Sequence, residues 1–134
     1  MGGRLTLYLA DACALIDFYT GEPAFPQPLV RLFEDTPEAV AIAATTLWEI
    51  AIKTRLGKLP DLRGSGFPTL AAMLRHHGFT PLPLDDQIAE AAANLPPIHA
   101  DPFDRALIAT ANRTSRIILT RDSIIARYGV KVAW

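Results

Sequence analysis

Short apolar runs alternate along the chain with longer segments whose apolar positions recur three and four residues apart. In "LTLYLA", residues 5–10, Leu5, Leu7 and Leu9 fall on one side of an extended segment, and "DACALIDFY" continues with helical spacing. The proline-broken "EPAFPQP" separates this unit from a short helix, "LVRLFEDT", and a buried strand, "AVAIAA", residues 39–44. A helix over residues 45–59, "TTLWEIAIKTRLGKL", follows directly. After the loop "PDLRGSG", the segment "PTLAAMLRHHG" has proline early and glycine past its end, the usual helix asymmetry. "FTPLPL" suits an edge strand, because its prolines cannot donate to a ladder. The remainder reads as helix "DDQIAEAAANL", loop "PPIHADP", helix "FDRALIATANRTS", strand "RIILT" at 116–120, helix "RDSIIARYG" and closing strand "VKVAW". This alternation predicts an α/β fold, one domain over 1–134 with a central, mostly parallel sheet and helices on both faces.

The helix over 45–59 carries more apolar surface than one side can hold. At about 100° per residue, Leu47, Ile50, Ala51 and Thr54 share one face, and Trp48, Ile52, Leu56 and Leu59 a second. Glu49 and Lys53 lie between them. The first face suits a core; the second is surplus for so small a chain and suits a covered surface, either a dimer or a partner protein, unless a neighbouring helix of the same chain meets it.

Composition narrows the picture. A chain of 134 residues can bury roughly two-thirds of its unfolded surface. With 50% hydrophobic and 20% charged residues it has the make-up of a globular protein. A net charge of -1 argues against a strongly basic nucleic-acid coat protein, but leaves room for an enzyme that handles nucleic acid through a local patch. Cys13, the single cysteine, fits a reducing cytoplasm, and no Cys/His spacing suggests zinc. No apolar run reaches the roughly 20 residues of a spanning helix, so no membrane partner is expected. "MGGRLT" matches a loose myristoylation pattern, but Thr6 falls within the expected first strand, and the pattern is set aside.

In a parallel sheet of this kind, ligands bind beyond the carboxyl ends of the strands. Four acids fall there: Asp11 after the first strand, Glu49 opening the helix after the second, Asp104 opening a late helix and Asp122 after "RIILT". Each alone has a plainer explanation, since acids near helix N-termini cap or complement the dipole. "TLWE" has the form of a capping box from Thr46 to Glu49, and Asp101 before Pro102 reads as an N-cap. Four together repel and raise one another's pKa unless a cation offsets them. Asp104 also shares a helix face with Leu107, Ile108 and Ala111, so it points inward. Hard oxygen ligands without a histidine cluster suit Mg²⁺ or Mn²⁺, which can activate water against a phosphodiester. His76 and His77 end a helix, and His99 lies in a loop near Asp101.

Quoted together, "YLADACALIDF", "TTLWEIAIKTRLGKL", "HADPFDRALIATA" and "ILTRD" resemble the acidic segments of a PIN domain, and more narrowly those of the VapC toxins of toxin–antitoxin pairs. The likeness runs nearly end to end, closing with "VKVAW". It implies a small metal-dependent endoribonuclease, commonly a homodimer, inhibited by a cognate antitoxin whose tail occupies the groove beside the acids. Carried over, Asp11, Glu49, Asp104 and Asp122 become ligands of Mg²⁺ or Mn²⁺ or of its waters, and Asp101 is either a fifth ligand or a helix cap. Lys53, Arg105, Arg121 and Arg113 are candidates for holding RNA phosphates, with solvation the better explanation for Arg113. Ala12 replaces the hydroxyl residue often found after the first aspartate, which leaves Thr120 as a replacement hydrogen-bonder.

Two other classes compete. A phospho-acceptor domain would want paired acids after the first strand and a lysine after the last, where this chain has "DACA" and stops at Trp134. A PIN fold kept as an inactive interaction module is the stronger rival, and the presence of all four acids counts against it.

Overall fold

Strands of two to four residues are enough here because nearly every residue in the central ones is enclosed on both sides. A computed structural model of the chain describes residues 5–134; the first residues of the "MGGRLT" pattern lie outside the described residues, and Thr6 precedes the first strand. The strands are β1 (Tyr8–Ala10), β2 (Val40–Ala43), β3 (Thr80–Leu82), β4 (Ile117–Leu119) and β5 (Val132–Ala133). They form one parallel sheet in the order β3-β2-β1-β4-β5. All four residues of β2 are at most 2% exposed. That explains why this segment reads as a continuous apolar run and not as an alternating one.

Helices α1 (Ala12–Thr20), α2 (Gln27–Asp35), α3 (Ala44–Arg55) and α4 (Leu70–His76) connect the first three strands, α5 (Asp86–Ala93) and α6 (Pro102–Thr114) lead to β4, and α7 (Ser123–Ala126) precedes β5. Successive strand residues divide between two cores. Ala10, Val40, Ile42 and Leu119 join Leu15, Phe33, Ile50 and Met73, whereas Leu9, Ala41, Ala43 and Ile118 join Leu107, Ile108 and Ile125 on the opposite face. A change of register by one residue would exchange the two sets. β3 is the edge strand that its prolines predict, with Pro81 opposite Ile42. Gly78, after α4, takes φ +97°, and a Cβ there would meet Pro37 Cγ at 2.8 Å, so the glycine stop is set by both conformation and contact.

Several boundaries differ from the sequence reading. β1 and β5 are shorter than expected, and α7 is a single turn. α3 begins at Ala44 with Ala43 as its N-cap and no side-chain cap, so the expected Thr46–Glu49 capping box does not form. β2 runs into α3 without a loop, which leaves no place for a capping residue, and Thr45 and Thr46 are buried instead.

Strand order sets the position of the site. The chain builds outward from β1 to β2 and β3, then returns to the other side of β1 for β4 and β5. Parallel sheets open a crevice where the order reverses, at the carboxyl ends of the two strands that flank the reversal. Here those are β1 and β4, followed by Asp11 and by Thr120 to Asp122.

Candidate active site

Asp11 continues the ladder for one more bond: its N–H donates to the Leu119 carbonyl at 3.2 Å. Its carboxylate caps α1 by accepting from the Ala14 N–H at 2.8 Å, and the residue is buried. Burial pushes the Asp11 carboxyl above the usual range, opposed by a hydrogen bond from the Thr120 hydroxyl, by the Ala14 N–H and by the Arg121 charge, while Glu49 pushes it further up. The same Thr120 hydroxyl accepts from the Asp122 N–H at 3.1 Å, so one buried side chain links the ends of β1 and β4.

Glu49 lies in the second turn of α3 with its side chain 14% exposed, and accepts from Lys53 Nζ at 2.8 Å. That bond raises the Lys53 pKa. With no capping duty, Glu49 is placed toward the other acids, and its charge raises the pKa of both Asp11 and Asp104.

Asp101 is the N-cap of α6, accepting from the N–H groups of Phe103 at 2.8 Å and Asp104 at 3.3 Å, with Pro102 in the first turn. Asp104 projects from that turn into the cluster. Its carboxyl is pushed up to about 6, chiefly by burial and then by the Asp101 charge; His99 opposes this, and Glu49 and Asp122 add to it. Asp122 caps α7 through the Ile124 N–H at 2.9 Å.

His99 is the residue that sequence reasoning underweighted. Its Nε2 lies 2.8 Å from Asp104 Oδ2 and 3.3 Å from Asp122 Oδ2. Nδ1 accepts the Asp101 N–H at 3.3 Å, which leaves Nε2 to carry a proton and donate between the two carboxylates. The signal lay in "HADPFD": an N-cap at Asp101 turns the chain so that residue 99 returns beside the first turn of α6. His99, Asp104 and Asp122 each offer a ligand atom, all within 4.8 Å of one another. Glu49 meets this group through its charge on Asp104, and Asp11 is linked to it through Glu49 and through the Thr120 hydroxyl that also holds the Asp122 N–H.

The cations are placed differently from one another. Arg105, expected to face phosphate, is engaged by its own chain: Nη1 donates to the carbonyls of Pro96 (3.0 Å) and His99 (3.1 Å), and Nη2 to those of Ala93 (3.2 Å) and Leu95 (2.8 Å). These carbonyls end α5 and form the loop before His99, where no ladder satisfies them. Arg105 thus fastens the loop that carries the imidazole. Arg113 is exposed in the last turn of α6, about 13 Å along the axis from Asp104. Arg121 pairs with Asp17, 3.1 Å from Nη2 to Oδ2.

Crowded carboxylates, two of them with raised pKa, fit a hard divalent cation, which would favour their ionised forms. A parallel α/β sheet with acids gathered at its point of reversal defines a small protein with an acidic site at the carboxyl edge. The chain belongs to the PIN domain family, whose profile matches residues 8–131. Members of that family are typically nucleases and usually use divalent metals. No curated protein matches the chain. Solved structures that share the fold include these two. One is FitAcB from Neisseria gonorrhoeae, with a TM-score of 0.65 and 21% identity over 94% of this chain and 96% of that one. The other is FitAB bound to an IR36 DNA fragment, with a TM-score of 0.63 and 20% identity over 95% of this chain and 94% of that one.

Proposed function

We propose that the protein is a metal-dependent endoribonuclease, the toxin of a type II toxin–antitoxin pair, acting in the cytoplasm. The observation that carries this reading is the placement of Asp11, Glu49, Asp104 and Asp122 toward the carboxyl edge of the sheet, where burial first, and the charges of Asp101, Glu49 and Asp122 after it, push the Asp104 carboxyl up to about 6. Mg²⁺ or Mn²⁺, held by Asp11 and Asp104 with Glu49 and Asp122, would supply an activated water and charge stabilisation for in-line attack on an RNA phosphodiester. The chain's own part is preorganisation. Thr120 fixes Asp11 relative to the backbone of Asp122, His99 orients Asp104 and Asp122, and Arg105 keeps the His99 loop in place. Lys53 offsets the Glu49 charge.

Incubating the purified chain with a structured RNA pool, with and without Mg²⁺ or Mn²⁺, and mapping the cut ends tests this reading. Metal-dependent cuts that Asp11→Asn removes are expected; full cleavage by that variant defeats the proposal.

A homodimer or antitoxin interface on α3 belongs to the same reading. Trp48 is 60% exposed, Leu56 63% and Ile52 37%, a contiguous apolar stripe beside Glu49. Leu59, expected on that stripe, packs instead against the core on the α1 side of the sheet. Trp48 meets Phe103 in a T-shaped pair, with ring centroids 5.4 Å apart. Trp48→Ala is expected to weaken self-association or antitoxin capture, measured by analytical ultracentrifugation and titration. If it instead destabilises the isolated chain by the about 3–5 kcal/mol of a core aromatic, the stripe is not an interface.

A further inference from the structure

Arg121 sits between two site residues, Thr120 and Asp122, yet its side chain turns away from both. It lies against α1, paired with Asp17, whose side chain is only 12% exposed. Asp17 Oδ2 is fully enclosed and has no aligned hydrogen bond, so the 3.1 Å contact with Arg121 is its compensation and acts through charge. On its other side the guanidinium stacks on the ring of Trp134, with Cζ 4.9 Å from the centroid. Trp134 is held in turn by Phe25, edge to face at 5.1 Å and 90°, and by its neighbour's pairing, in which the Thr120 N–H donates to the Ala133 carbonyl. The Arg121 side chain remains 53% exposed, and its charge reaches Asp11.

This placement separates Arg121 from the other cations near the acids. Lys53 is bonded to Glu49, and Arg105 is turned onto backbone carbonyls. Arg116 donates to the Tyr8 carbonyl at the opposite edge of the sheet. Arg121 alone of these four combines exposure, nearness to Asp11 and a rigid mount. A cluster of carboxylates repels a polyanion, so a strand reaching it needs a fixed positive contact at the rim.

We propose that Asp17 and Trp134 are positioning residues that hold the Arg121 guanidinium at the rim of the acidic site, where its outward N–H groups bind a backbone phosphate of the RNA strand. The proposal rests on the ribonuclease reading and adds the strand's entry path to it, along the side of the site formed by α1 and β5. The buried aspartate keeps the guanidinium from swinging outward, and the indole keeps its plane fixed, so a fork of donors is presented with little entropy left to lose.

The test is binding of a 5′-labelled single-stranded RNA, followed by fluorescence anisotropy in Mg²⁺ across a salt series, with KM and kcat measured in parallel. Arg121→Gln combined with Asp17→Asn removes both charges and leaves no buried carboxylate uncompensated. It is expected to weaken binding roughly tenfold and to lower the salt slope by about one, with the change in KM exceeding that in kcat. Trp134→Leu keeps an apolar contact for Phe25 but removes the π face, and is expected to weaken binding in the same direction, whereas Trp134→Phe restores it. Unchanged affinity and salt slope in the double variant, or equal losses in Trp134→Leu and Trp134→Phe with lowered Tm, would overturn the proposal and leave the ribonuclease reading standing. A wild-type chain that neither binds nor cuts RNA overturns both.

Discussion

The two flanks of the acidic site hold their carboxylates by different means. On the β1 flank, Asp11 is fixed by backbone: it extends the ladder to Leu119, caps α1 and takes one side-chain bond from buried Thr120. On the α6 flank, Asp104 has no backbone donor of its own and meets a side chain, His99, whose loop is fastened by Arg105. The first flank is tied to the sheet. The second depends on one imidazole and on the guanidinium that holds its loop. A site built this way has one wall set by backbone and one set by side chains, so single substitutions reach the second more easily than the first.

The largest expected effect tests whether both walls are needed. Asp11→Asn and Asp104→Asn each keep shape and remove a charge, and each is expected to lower Mn²⁺-dependent RNA cleavage by orders of magnitude. In chelator, neither variant should melt below the wild type, because each relieves repulsion. Near-normal rates in one variant would show that its flank is dispensable.

His99→Ala sharpens the contrast, since it removes the side-chain partner of Asp104 and leaves the backbone bonds of Asp11 untouched. Losing a side chain that orients neighbouring ligands typically costs about 10–100-fold in metal affinity. Mn²⁺ titration followed by electron paramagnetic resonance should show such a loss, and undiminished affinity would remove His99 from the site.

The pH dependence of stability separates the flanks by charge. The Asp104 carboxyl lies at about 6 in the folded chain against 3.8 for the free group. Protonation therefore favours the fold: the contribution is complete below about 4 and lost as pH rises through about 6. Asp11 shifts in the same direction. In EDTA, wild type should lose more Tm between pH 5 and pH 7 than Asp104→Asn does, and saturating Mn²⁺ should reverse the trend, because it binds the deprotonated acids. Identical pH profiles for the two chains in EDTA would contradict the assigned shift.

The smallest effect is expected at Asp101. Asparagine caps helices about as well as aspartate, so Asp101→Asn should leave cleavage at saturating Mn²⁺ within about twofold of wild type. A loss larger than that of Asp104→Asn would exchange their roles.

Much of this arrangement was legible in the chain. Parallel strands buried on both faces leave continuous apolar runs, and Pro102 after Asp101 marks a helix start by its fixed φ and missing donor. The misreadings share a cause. Thr46 looked like a cap because local spacing says nothing of β2 running straight into α3, which places that hydroxyl in the core. Arg105 looked like a phosphate contact because the carbonyls that need it lie up to twelve residues away, at the end of α5. His99 stood outside any periodic segment, and its partner Asp122 is 23 residues distant.

Strand order also governs when the molecule becomes what it is. The strand that completes the crevice beside β1, β4, follows it by more than one hundred residues. Asp11 waits for Thr120, and Arg121 waits for Trp134. A growing polypeptide therefore carries separated carboxylates with no common centre, and the acidic edge closes only once β4 has joined β1. Ribosome-bound chains stalled before residue 116 should leave RNA uncut where released full-length chains cleave it. Such timing would keep a ribonuclease of the proposed kind silent beside the message and the ribosome that are making it.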